Sequence, residues 1–130
     1  MASLVLPDSN FYINSARAGQ DPFRALGARS EDYEFATCGM VVLEVCRGRS
    51  DPHVLRRFQD NFAVMIFIPT SNQIWERTVQ LTWSLDRQGI VLPPQDVLIA
   101  VHALQTNATV LTFDAHFQQI PGLRVVDHLA

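Results

Sequence analysis

The chain has 130 residues, 48% of them hydrophobic, and a formal net charge of −3. That length holds one folded domain rather than two, and that apolar content excludes an intrinsically disordered chain. The mildly acidic balance excludes attachment to nucleic acid by bulk charge alone.

The distribution of charge says more. All ten basic residues are arginine. With four acids drawn into one site, nine would remain against these ten, so the rest of the surface would be near neutral and carry phosphate-competent guanidinium groups. The absence of lysine itself is read first as genome composition. Cys38 and Cys46 are too few for a disulfide scaffold and lack a zinc spacing, which fits buried thiols in a reduced, cytoplasmic protein. The start, MASLVLPD, lacks the charged region and long apolar run of a signal peptide. No apolar stretch approaches the roughly 20 residues that span a bilayer, so no membrane role is expected.

In chain order, Leu4–Leu6 reads as a first strand ended by Pro7 and Asp8. DSNFYINSARAG follows as a helix, with Phe11, Tyr12 and Ile13 inward and Gly19 stopping it. Asp21-Pro22 opens a second helix, PFRALGARS, since proline is tolerated in a first turn. Tyr33–Thr37 is a second strand. CGMVVLEVCRG is an apolar helix ended by Gly48 and broken by one acid, Glu44. Asp51-Pro52 opens a helix to about Asn61, and FAVMIFI at 62–68 reads as a third strand, buried on both faces. Ser71 caps a long helix to about Gln88, with the stripe Ile74, Trp75, Val79, Leu81, Trp83 and Leu85. Pro93 and Pro94 open a helix that is apolar nearly all round from Val97 to Leu104, hence buried, with Asn107 as its left-handed cap. Thr109–Thr112 is a fourth strand followed by Asp114, and Arg124–Val126 is a last short strand. Alternation of strands and helices predicts a three-layer α/β/α domain with a central, mainly parallel sheet.

Four acids are conspicuous by position: Asp8 after the first strand, Glu44 inside an apolar helix, Asp96 at the start of the buried helix, and Asp114 after the fourth strand. Singly, Asp8 and Asp114 are explained as N-caps and Asp96 by the helix dipole. Glu44 could pair with Arg47, but an acid within GMVVLEVC is costly to bury without a partner. Together they fit one site, because a parallel sheet brings the ends of the first and fourth strands to one edge and ligands bind outside the carboxyl ends of strands. Clustered carboxylates call for a divalent cation, and oxygen ligation suits Mg²⁺ or Mn²⁺. Such a cation activates water and offsets charge on a phosphate.

The segments VLPDSNFYI at 5–13, ATCGMVVLEVCRG at 36–48, LPPQDVLIAVHAL at 92–104 and VLTFDAHFQQIPGLRV at 110–125, in this order, resemble the PIN domain. The resemblance is to the VapC-type toxins of bacterial type II toxin–antitoxin pairs in particular. It implies a Mg²⁺- or Mn²⁺-dependent endoribonuclease, inhibited by a cognate antitoxin, forming homodimers, with a sheet of about five strands. The family's acids map onto Asp8, Glu44, Asp96 and Asp114, with the three aspartates holding the metal and Glu44 completing the ligation or orienting water. Thr112 matches a family threonine. Ser9 stands where threonine is common, Cys38 where a small polar residue is common, and His116 where relatives often carry a further acid. Arg17, Arg47, Arg49 and Arg87 are candidates for RNA phosphate contact, although any one of them alone is more often a solvated side chain. Trp75 and Trp83 are expected as core or interface residues, His102 as a satisfied core histidine, and His116 in a capping or surface role. A receiver domain or a haloacid-dehalogenase-type phosphatase fits poorly, because both want a lysine and the latter a second aspartate where Asn10 stands. The remaining alternative is a PIN-fold interaction module with weak or no nuclease activity, against which the presence of all four acids argues.

Overall fold

The computed structural model describes residues 3–130. Five strands form one parallel sheet: β1 (Ser3–Pro7), β2 (Tyr33–Cys38), β3 (Ile66–Ile68), β4 (Thr109–Leu111) and β5 (Val125–Val126). Their spatial order is β3-β2-β1-β4-β5. The chain therefore steps outward from β1 through β2 to β3, then returns past β1 to place β4 on its other side. With right-handed crossovers, that reversal puts the helices of the first half on one face and those of the second half on the other. The first half holds α1 (Ser9–Arg17), α2 (Pro22–Gly27), α3 (Gly39–Arg47) and α4 (Pro52–Ala63); the second holds α5 (Asn72–Arg87) and α6 (Pro94–Thr106). The result is the three-layer α/β/α arrangement expected from the alternation.

Local chemistry sets most of the boundaries. Asp21 accepts hydrogen bonds from the backbone N–H of Phe23 and Arg24, Asp51 from that of His53, and Ser71 from that of Ile74. Asn107 ends α6 with φ of 58°, the left-handed cap read from its sequence. Helix α6 is buried from Val97 to Ala103, so the apolar run does lie in the middle of the core. Within it His102 is fully buried; its Nδ1–H donates to the Leu98 carbonyl and its Nε2 accepts from the Thr70 hydroxyl, both at 2.8 Å. Burial holds its pKa below the usual value, which keeps it neutral.

The run FAVMIFI does not form one buried strand. Phe62 belongs to the last turn of α4, one helical turn beyond Phe58, and packs on the rings of Tyr12 and Phe23 at centroid distances of 5.0 and 5.1 Å. This aromatic packing carries the helix past the apolar boundary seen in the sequence. Only Ile66–Ile68 pairs with β2, at the sheet edge, where Ile66 and Phe67 are 43% and 56% exposed. Helix α5 departs in a different way. Its apolar pattern spans two rows: Ile74, Thr78 and Leu85 are buried, whereas Trp75, Val79 and Trp83, spaced by four residues, are exposed. Trp75 and Trp83 are thus not core residues. Helix α2 stops at Gly27, short of the predicted end, and a 3₁₀ turn at Ala115–Gln119 follows β4 where no element was expected.

Candidate metal centre

The site lies where the strand order reverses, between the carboxyl ends of β1 and β4. Register pairs Leu6 with Val110 and Pro7 with Leu111, and the Asp8 N–H donates to the Leu111 carbonyl at 2.9 Å. The pairing leaves Asp8 beside Thr112 just beyond both strands, at the switch point where open α/β sheets bind ligands.

Two bridged carboxylate pairs form around that point. Asp8 is 2% exposed and caps α1, with Oδ1 accepting from the Ser9 N–H at 2.7 Å. The Ser9 hydroxyl stands between two carboxylates, 3.3 Å from Asp8 Oδ1 and 3.1 Å from Glu44 Oε1, so its one proton serves either. On the other side, Asp96 sits in the first turn of α6 and Asp114 caps the 3₁₀ turn, accepting from the His116 N–H at 2.9 Å. The His116 ring lies between these two acids, with Nδ1 3.1 Å from Asp96 Oδ2 and 3.3 Å from Asp114 Oδ1. Thr112 joins the halves: its hydroxyl donates to Asp8 Oδ2 at 3.1 Å and accepts from the Asp114 N–H at 3.0 Å. The local roles foreseen for Asp8, Asp96 and Asp114 as caps and first-turn acids are therefore real, and they coexist with convergence.

The electrostatics are those of unneutralised acids. The Asp8 carboxyl is pushed up to about 6, first by burial and then by the charge of Asp96. Burial also raises Glu44, partly offset by the Ser9 hydrogen bond and Arg47, and raises Asp96, partly offset by the hydrogen bond from His116. His116 is raised in turn by its bond to Asp96. Among the described residues, His116 is the one ion-pair partner of these four acids. One ligand atom each from Asp96, Asp114 and His116 lies within 4.8 Å of the other two. Asp8 and Glu44 adjoin this trio without being part of it. The donor chemistry fits a divalent cation: mostly carboxylate oxygens in a half-buried setting with too little positive charge.

The remaining residues fall as follows. Cys38 is buried at the N-terminus of α3, and burial drives its thiol up to about 11; Cys46 is half-buried. Arg47 is exposed on the last turn of α3, one turn beyond Glu44. Arg49 is half-buried, its guanidinium 5.2 Å from the Phe58 ring centre, and Arg87 lies 5.0 Å above Trp83. Arg17 ends α1, a helix length of about 13.5 Å from Asp8. An open cleft of about 650 Å³ is lined by Thr112 and Asp114 together with Val125 and Leu129; Asp8, Glu44 and Asp96 do not line it. The placement of His116 between two acids was not legible in the sequence; its position two beyond Asp114 was the signal that could have found it.

Residues 5–123 match the family model of the PIN domain, and the chain belongs to that family. No curated protein matches it by sequence. Its fold is shared with a chain of the DNA-bound VapBC2 complex from Rickettsia felis, at 22% identity and a TM-score of 0.79, covering 95% of this chain and 97% of that one. DNA-bound VapBC from Salmonella typhimurium is similar at 22% identity and a TM-score of 0.78, with 97% and 98% covered. Mycobacterium tuberculosis VapC20, a Sarcin-Ricin loop cleaving toxin, is similar at 12% identity and a TM-score of 0.62, with 88% and 92% covered. Among the described residues no helix is long and apolar enough to cross a membrane.

Proposed function

We propose that the chain is a single PIN-like nuclease domain acting in the cytoplasm as a divalent-metal-dependent endoribonuclease, the toxin of a type II toxin–antitoxin pair. The observation that carries this reading is the convergence of four carboxylates at the β1–β4 switch point, where His116 is their one ion-pair partner among the described residues. Asp8, Asp96 and Asp114 are the residues that would hold Mg²⁺ or Mn²⁺, with Glu44 completing the set or orienting water. A cation bound there supplies an acidified water and charge neutralisation at a backbone phosphate.

The chain's own residues supply position. Ser9 ties Glu44 to Asp8, and Thr112 fixes Oδ2 of Asp8 while anchoring the backbone of Asp114. Attack on a backbone phosphate does not use base identity, so target choice must come from elsewhere than this chemistry. Arg47 is the best placed of the four arginines for a phosphate, being exposed and near Glu44; Arg49 and Arg87 are engaged with aromatic rings, and Arg17 is a helix length away. The VapBC complexes support an antitoxin as partner, and the exposed Trp75, Val79 and Trp83 row supports a homodimer contact through α5.

The test is cleavage of a mixed cellular RNA pool by purified protein with Mg²⁺, Mn²⁺ or chelator, beside Asp96→Asn. Discrete metal-dependent cuts absent from the variant are expected. Cuts that persist in chelator or in Asp96→Asn would refute the mechanism. A folded protein that makes no cuts in pools from several sources would favour the interaction-module reading.

A further inference from the structure

Resting on that metal-centre reading, we infer that His116 supplies a ring nitrogen to the cation held by Asp96 and Asp114, giving a mixed nitrogen–oxygen donor set that prefers Mn²⁺ to Mg²⁺. Nδ1 stands 3.1 Å from Asp96 Oδ2 and 3.3 Å from Asp114 Oδ1. Adjacent donors on an octahedral ion with bonds of about 2.1 Å are about 3 Å apart. The imidazole nitrogen thus already stands from each carboxylate oxygen at about the spacing of neighbouring ligands, and one ligand atom from each of the three residues lies within 4.8 Å of the other two.

The local fold holds the ring there. Asp114 caps the 3₁₀ turn and binds the His116 N–H, and Phe117, the next residue, is fully buried and pins the turn to the core. The His116 side chain itself is 45% exposed, and its direction is set by the Nδ1–H hydrogen bond to Asp96; a cation would take the place of that proton, which leaves to solvent or shifts to Nε2. Imidazole nitrogen is a good donor to transition-metal ions, whereas Mg²⁺ takes oxygen and sheds its water reluctantly. A carboxylate at 116 would leave an all-oxygen set with no such bias. Histidine at this position therefore changes which ion the site selects.

The experiment titrates Mn²⁺ and Mg²⁺ separately into wild type, His116→Asp and Asp96→Asn by calorimetry. It also records pulsed electron paramagnetic resonance of the Mn²⁺-loaded proteins. Nitrogen-14 modulation from a directly bound imidazole is expected in wild type and absent in His116→Asp. The ratio of Mn²⁺ to Mg²⁺ affinity is expected to fall about tenfold in that variant, within the range seen when metal-site residues are changed. Wild-type protein that binds Mn²⁺ with no nitrogen modulation overturns the inference and leaves the acidic centre standing, as does an unchanged affinity ratio. Wild-type protein that binds neither ion overturns the metal-centre reading and this inference with it. His116→Asp changes a half-exposed side chain, and circular dichroism checks that its fold is intact.

Discussion

Asp8→Asn should stabilise the metal-free protein at neutral pH. Asp8 is buried at 2% exposure and lies near Asp96 and Glu44, and its carboxyl is raised from 3.8 to about 6. A folded-state value above the unfolded one means that the native protein binds the proton more tightly than the unfolded chain does. Stability from this group is therefore fully present below about pH 4 and is lost as pH rises through about 6. Above that range the ionised carboxylate costs on the order of 3 kcal/mol. Asparagine retains an oxygen to accept from the Ser9 N–H, and the Thr112 hydroxyl can turn to accept from its amide. The variant should thus gain on the order of 3 kcal/mol at pH 7, or about 10 °C in Tm for a chain of this size. At pH 4 it should gain almost nothing. The assay is urea denaturation in chelator at pH 4, 5.5 and 7. Mn²⁺ at a thousandfold excess over the wild-type Kd should reverse the order, because the cation then stabilises the native wild type by mass action by about 4.1 kcal/mol. A variant no more stable than wild type at pH 7 in chelator, or a gain equal at all three pH values, would refute the reasoning.

Thr112→Val keeps the shape of the side chain but removes a hydroxyl that serves both Asp8 Oδ2 and the Asp114 N–H. It should destabilise the protein by about 1–3 kcal/mol, since buried polar groups are left unpaired; equal urea midpoints for variant and wild type would show that water replaces the hydroxyl. Replacing both Trp75 and Trp83 by serine removes most of the apolar row exposed on α5. Light scattering should then report a shift from dimer toward monomer, and an unchanged dimer mass would move the interface away from this helix.

The sequence by itself determined the fold class, because period and punctuation are local. Proline after aspartate, serine before a helix and asparagine after one act within a single turn, and the caps at Asp21, Asp51, Ser71 and Asn107 follow from them. The all-round apolar run at Val97–Leu104 could only be an interior helix. Asp8, Asp96 and Asp114 were conspicuous at strand ends and a helix start, where capping and the helix dipole account for each singly, and Glu44 because an acid inside an apolar helix has no such local account. Tertiary structure decided what depends on neighbours distant in the chain. Phe62 is helical because Tyr12 and Phe23 lie against it, not because of its own run. The two apolar rows of α5 are equivalent in sequence, and packing chose which one to bury. Ser9 meets Glu44 across 35 residues and Thr112 meets Asp8 across 104, so the hydrogen bonds that join the acids have no local signature. His116 follows the same logic: its capping contact with Asp114 is local, but its place beside Asp96 exists only because α6 and β4 deliver both acids to one edge of the sheet.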